Sequence, residues 1–166
     1  MTSFQVEGPK GPFLMPKYIV TQLKENKSMR YHHTKNKGDL GVLKAQLDLY
    51  EKGYLILTPN TEHAAFDLVA YKDGVFKRVQ VKYRAANDDV IPIRFRTSWA
   101  DKNGTHTKEY DKNELDLMCI YCPDTDKCYY IDPLKCGKNF YLRLSKPKSY
   151  QKAKIHMAED YLEIPN

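Results

Sequence analysis

"FDLVAYKDGVFKRVQVKYR", Phe66 to Arg84, is the stretch whose punctuation decides the fold. Asp73-Gly74 separates two runs rich in β-branched and aromatic residues, the strongest short-range signal for a two-residue hairpin turn. That turn fixes a register. With Lys72 opposite Val75, Asp67 meets Gln80, Leu68 meets Val79 and Phe66 meets Val81. Side chains alternate along a strand, so Phe66, Leu68, Val79 and Val81 are expected on one buried face. Asp67, Arg78, Gln80 and Lys82 share the other. Directly opposed Cβ atoms lie about 5 Å apart and a diagonal neighbour is still in reach, so Asp67, Gln80 and Lys82 should converge.

On pattern alone, such a patch is also what a half-exposed sheet face with weak surface pairs looks like. Read as chemistry, a carboxylate, an amide oxygen and a backbone carbonyl are hard donors of the kind Mg2+ prefers. A lysine beside them can lower the pKa of an attacking water or stabilise a pentavalent phosphate.

Before the hairpin, Leu40, Leu43, Leu47 and Tyr50 recur at helical spacing between Asp39 and Lys52, with Val42, Ala45 and Leu49 widening the stripe and Gly53 as a stop. This predicts a helix packed on a sheet. "YLILT" (54–58) then reads as a buried strand closed by Pro59. Beyond the hairpin, "VIPIRFRTSW" (90–99) reads as a strand and Asp101 to Gly104 as a turn. "LDLMCIYC" and "KCYYID" read as paired strands around Pro123 to Asp126, and Ser149 opens a last helix using Ala153, Met157, Ala158, Tyr161 and Leu162. Helix, strand, hairpin, strands and helix in that order predict an α/β (α+β) fold around one mixed sheet.

The 166 residues suit one domain, and 42% apolar content is too high for intrinsic disorder. No apolar run approaches the roughly 20 residues of a membrane span and no secretion signal is visible. An intracellular setting, cytoplasmic or organellar, without membrane is therefore expected, with the four cysteines reduced. Cys119 and Cys122 would point to opposite faces of one strand, which argues against a shared zinc site. His32, His33 and His63 have no partner spacing that defines a site.

The formal net charge is +6, which suits a polyanionic partner such as nucleic acid. Residues 1–38 hold seven basic side chains against Glu7 and Glu25, a net +5. They read as an irregular basic arm with a short helix over Lys17 to Lys27. Phosphate contacts and a merely solvated tail are both consistent with that charge.

"KGDLGVLKAQLDLYEKGYLILTPNTEHAAFDLVAYKDGVFKRVQVKY" (Lys37 to Tyr83) resembles the PD-(D/E)XK nucleases associated with group I introns, and more distantly the archaeal Holliday-junction resolvases. The shared pattern is a glycine-flanked helix leading through "KGY" into a strand, an Asp-bearing strand, and a strand ending in "VQVK". A weaker match continues through "DLMCIYCPDTDKCYYID" and "YQKAKIHMAEDYL". The resemblance implies a restriction-endonuclease-like core, a central mixed sheet flanked by helices, with residues 1–36 as a basic arm before a nuclease domain at 37–166.

It also implies roles. Asp67 is the metal-binding acid, Lys82 the catalytic lysine, and Gln80 stands where the family usually has Asp or Glu. Asp67, Gln80 and the backbone carbonyl of Val81 are the expected ligands of Mg2+, with Mn2+ as a substitute. The family's helix glutamate falls on Val42, and Asp39, one turn earlier, is the candidate replacement, a helix N-cap being its other reading. Arg78, Arg84, Arg94, Arg96 and Ser98 are expected to contact double-stranded DNA. The implied activity is Mg2+-dependent cleavage by an intron-encoded homing endonuclease, as a homodimer or homotetramer since one site cuts one strand. A junction resolvase or repair nuclease, and a DNA-binding protein that has lost catalysis, are the alternatives.

Overall fold

The structure, a computed structural model, describes residues 32–61, 63–137, 139–146 and 155–165. Its elements are α1 (His33–Glu51), β1 (Leu55–Leu57), β2 (Leu68–Lys72), β3 (Val75–Tyr83), β4 (Val90–Arg94), β5 (Arg96–Asp101), β6 (Gly104–Glu109), β7 (Leu117–Cys122), β8 (Lys127–Ile131), β9 (Asn139–Arg143) and β10 (His156–Met157), with short 3-10 turns between. The basic arm and the Lys17 to Lys27 helix lie outside the described residues. No helix among those described is long and apolar enough to cross a membrane.

The hairpin forms in the expected register, with Lys72 opposite Val75 and Leu68 opposite Val79. Asp73 and Gly74 both take positive φ, 51° and 83°, the signature of a type I′ turn whose twist matches that of its strands. Around it grows a sheet ordered β1-β2-β3-β7-β8, in which β3 and β7 are parallel and the other neighbours antiparallel. This is the expected mixed α+β sheet. The strands around Pro123 to Asp126 pair as expected, and every residue of β7 is buried because both sheet faces are covered.

One face carries Leu68, Ala70, Val79, Val81 and Cys119 and is covered by α1, which buries Leu40, Gly41, Ala45 and Leu49. Tyr130 ties the two layers through a 2.5 Å hydrogen bond from its hydroxyl to Asp48. On the other face, Met118, Ile120, Cys122, Tyr129 and Ile131 pack against Ile91 and Ile93 of β4 and Phe140 and Leu142 of β9. These belong to a second sheet, ordered β10-β9-β4. Among the described residues the central sheet is thus flanked by a helix on one side and a sheet on the other. Cys119 and Cys122 lie on opposite faces, and no cluster of three or more metal-type ligands occurs among the described residues.

Several expectations need correction. The helix starts at His33 rather than Asp39, because His32 accepts from Lys35 N at 3.2 Å and Asn36 Oδ1 accepts from His32 N at 2.9 Å. That reciprocal cap resembles a capping box built from unusual residues. The buried stripe is not the leucine stripe: Leu43, Leu47 and Tyr50 are 62%, 54% and 72% exposed. The face that packs instead holds Leu40, Gly41, Ala45 and Leu49, and at Gly41 the helix comes close to Tyr83, which would stand 3.4 Å from a Cβ there. The strand 54–58 is an exposed edge of three residues, with Leu55 60% exposed. Phe66 leaves the ladder and packs with the cluster on the second-sheet side. The strand at 90–99 breaks at Phe95 into β4 and β5. Residues 156–161 form β10, parallel to β9, and a 3-10 turn where a helix was expected, while 149–154 lie outside the described residues.

Candidate active site

β2 and β3 place the three central candidates together. Asp67 sits just ahead of β2, its N–H donating to Val79 O at 3.0 Å. Its carboxylate Oδ2 accepts from the backbone N–H of Val81 at 2.7 Å and from the side-chain amide of Gln80. The same amide nitrogen lies 3.4 Å from the carbonyl oxygen of Val81. One donor group therefore occupies the point on which the Asp67 carboxylate and the Val81 carbonyl converge. A cation wants that same pair of hard oxygens, and rotating the amide by 180° exchanges its NH2 for its oxygen. The donor set fits a divalent metal.

Lys82 lies two residues on, with its Nζ 4.7 Å from the centre of the Tyr110 ring. Burial, followed by the nearby Arg84 charge, pushes its pKa down from 10.5 to about 8, with Asp67 pulling the other way. Burial likewise raises Asp67 above the usual carboxylate range, against the Val81 N–H, the Lys82 charge and the Gln80 amide. Desolvated charges of this kind concentrate at catalytic sites.

Tyr110 is the residue that sequence reasoning missed. Its N–H donates to Phe95 O at 3.0 Å, Thr97 hydrogen-bonds to its side chain, and burial first and the Asp67 charge second raise its pKa to about 12. It comes from the end of β6, 28 residues beyond Lys82, and no local pattern marks it.

The first-helix candidate is not brought to the others. Asp39 is exposed, on the outward face that continues through Leu43, Leu47 and Tyr50, because residues at i, i+4 and i+8 share a face. Gly38, by contrast, lines the cleft beside Lys82, and Val42 follows one turn later.

That cleft is an open cavity of about 470 Å3 between the start of α1, the end of β3 and the root of β5. Lys37, Lys82, Arg84, Arg94, Arg96 and Ser98 line it. Four of the five expected DNA-contacting residues therefore face one basic cleft. Arg78 does not. Its Nε and Nη2 make 2.9 Å bonds to both carboxylate oxygens of Asp116 and to Asn113 O, which engages it within the protein and holds Asp116 below the usual carboxylate range.

No curated protein sequence matches the chain. A bacterial homing endonuclease, I-Ssp6803I, is similar in structure, with a TM-score of 0.60 over 78% of this chain and 88% of that one, at 18% sequence identity. The likeness is one of fold. The family profile described as PD-(D/E)XK endonuclease matches residues 32–164, which takes in the hairpin, the basic cleft and both sheets. The chain therefore belongs to the PD-(D/E)XK endonucleases, enzymes that cut DNA.

Proposed function

We propose that this endonuclease hydrolyses double-stranded DNA in a Mg2+-dependent reaction and serves as an intron-encoded homing endonuclease. The observation that carries the reading is the Gln80 amide nitrogen held between Asp67 Oδ2 and the Val81 carbonyl beside Lys82. Asp67, the Val81 carbonyl and the Gln80 amide oxygen would hold the metal. When bound, it supplies Lewis-acid activation of the scissile phosphate and of water.

The chain's own residues do the rest. Lys82, which lines the cleft with the Tyr110 ring 4.7 Å from its ammonium, is placed to donate to a phosphate oxygen or to hold the attacking water. Arg84, Arg94 and Arg96 set the phosphodiester backbone along the cleft. Gln80 in place of a carboxylate leaves the ligand set one negative charge short, so Mn2+, which binds such ligands more tightly, should substitute well. Double-strand cleavage needs two such sites, hence a homodimer or homotetramer. Val42 and the outward Asp39 together favour a second reading, a catalytically weakened DNA-binding protein.

Incubating the protein with Mg2+ or Mn2+ and linear duplex, four-way junction or single-stranded DNA tests the proposal. Linear duplex should be cut at a defined site. Preference for the junction would make the chain a resolvase, and binding without cutting under either metal would support the weakened protein.

A further inference from the structure

Resting on the reading of this protein as a duplex nuclease, we propose that the β5–β6 ribbon enters the major groove and reads base sequence through Ser98, Thr105 and Thr107. The ribbon is a sheet of its own, joined to neither of the other two. Its strands pair from Arg96 opposite Glu109 to Asp101 opposite Gly104. Six residues at about 3.3 Å each make it roughly 20 Å long. A two-stranded ribbon fits the roughly 12 Å width of the major groove of B-DNA, where each base pair presents its own pattern of donors, acceptors and methyl groups.

Its two faces differ in chemistry. Trp99 stacks on His106 with ring centres 5.3 Å apart, and His106 bonds Asp101 at 3.0 Å, so one face is stiffened by its own contacts. The other carries Ser98, Thr105 and Thr107, all exposed, with the Ser98 and Thr107 hydroxyls 3.3 Å apart. A hydroxyl that makes one hydrogen bond still has donor or acceptor capacity left, and the methyl of threonine suits the thymine methyl. Serine and threonine serve bases of either kind.

The occupant is argued from charge and continuity. Arg94, Arg96, Lys102 and Lys108 face only Asp101 and Glu109 within the segment, and its root forms one wall of the cavity that holds Lys82. A duplex whose phosphate lies at Lys82 thus meets the ribbon in its adjoining groove. Trp99 is the one exposed large apolar residue on the ribbon among the described side chains, too little for a self-association surface.

The test selects, in EDTA, tight-binding duplexes from a library with a central random block, for the full chain and for the Thr105→Val/Thr107→Val variant, which leaves the cleft residue Ser98 in place. Valine keeps the β-branched shape and removes the hydroxyl. The wild type should yield a consensus, and the variant should lose preference at neighbouring positions by about 2- to 13-fold per base read, the worth of one hydrogen bond. Its affinity for random-sequence duplex and the salt dependence of that affinity should stay within about threefold.

An unchanged consensus overturns the proposal, as does a wild type that selects nothing, or uniform weakening across all sequences. A variant that alters the oligomeric state in sedimentation would make the ribbon an interface between copies instead. Cleavage is scored separately with Mg2+ and Mn2+. A protein that selects sequence through the ribbon yet cuts nothing rejects the nuclease chemistry alone, and one that cuts with a ribbon-independent consensus rejects the ribbon alone.

Discussion

Replacing Lys82 with methionine should stabilise the metal-free protein at neutral pH while removing its activity. Burial lowers the Lys82 pKa from 10.5 to about 8, beyond what Asp67 restores. Each pH unit of that difference is worth about 1.4 kcal/mol, so keeping this ammonium charged in the folded state costs on the order of 3 kcal/mol. Methionine keeps the length and apolar bulk and drops the charge. It also forfeits the attraction between the ammonium and the Tyr110 ring, about 1 kcal/mol. A net gain of roughly 1–3 kcal/mol corresponds to a melting temperature about 3–9 °C higher for a chain of this size.

The sign of the pH dependence follows from the depressed pKa. Below about pH 8 the lysine is protonated in both states and the cost is fully present. Between 8 and 10.5 the folded protein releases its proton while the unfolded chain keeps it, so the wild type gains stability and the gap to the variant closes. Thermal melts of both proteins in EDTA at pH 7 and near pH 10.5 measure this. A variant less stable than wild type at pH 7, or a gap of equal size at both pH values, would refute the reasoning.

Other outcomes follow from the same site. Gln80→Glu supplies the missing negative charge and should tighten Mn2+ binding, measured by calorimetry, by at least about tenfold; unchanged affinity would place the metal elsewhere. Val42→Glu sets a carboxylate one turn beyond Gly38 on the cleft side and should raise cleavage, since Asp39 faces outward; no gain would mean that the helix position is not short of an acid. Arg94→Ala with Arg96→Ala should flatten the plot of log binding constant against log salt by roughly 2, about 0.9 for each phosphate no longer neutralised, and an unchanged slope would remove these arginines from the DNA footprint.

The hairpin register was legible because Asp-Gly at a two-residue turn leaves little freedom, and the register in turn brought Asp67, Gln80 and Val81 together. The helix was legible as a helix but not in its orientation. A leucine stripe, Leu43 and Leu47 with Tyr50, points outward, and the face that packs on the sheet is the one with Leu40, Gly41, Ala45 and Leu49. Asp39 lies one turn before Val42, but a step of three residues carries it round to the exposed face with Leu43. Tyr110 was not legible at all, since its place above Lys82 depends on the turn of the chain at Phe95 and the return of the ribbon. The second sheet was hidden in strands whose pairing, Val90–Arg94 with Asn139–Arg143, spans some fifty residues.

Single-turnover cleavage of linear duplex DNA in Mg2+ by the wild type, Asp67→Asn and Lys82→Ala, alongside DNA binding in EDTA, tests the central claim most directly. Both variants should lose cleavage by at least about a hundredfold and keep binding within about threefold, because binding draws on many dispersed phosphate contacts. Wild-type rates in both variants would show that the nuclease centre lies somewhere other than the Asp67, Gln80 and Lys82 cluster.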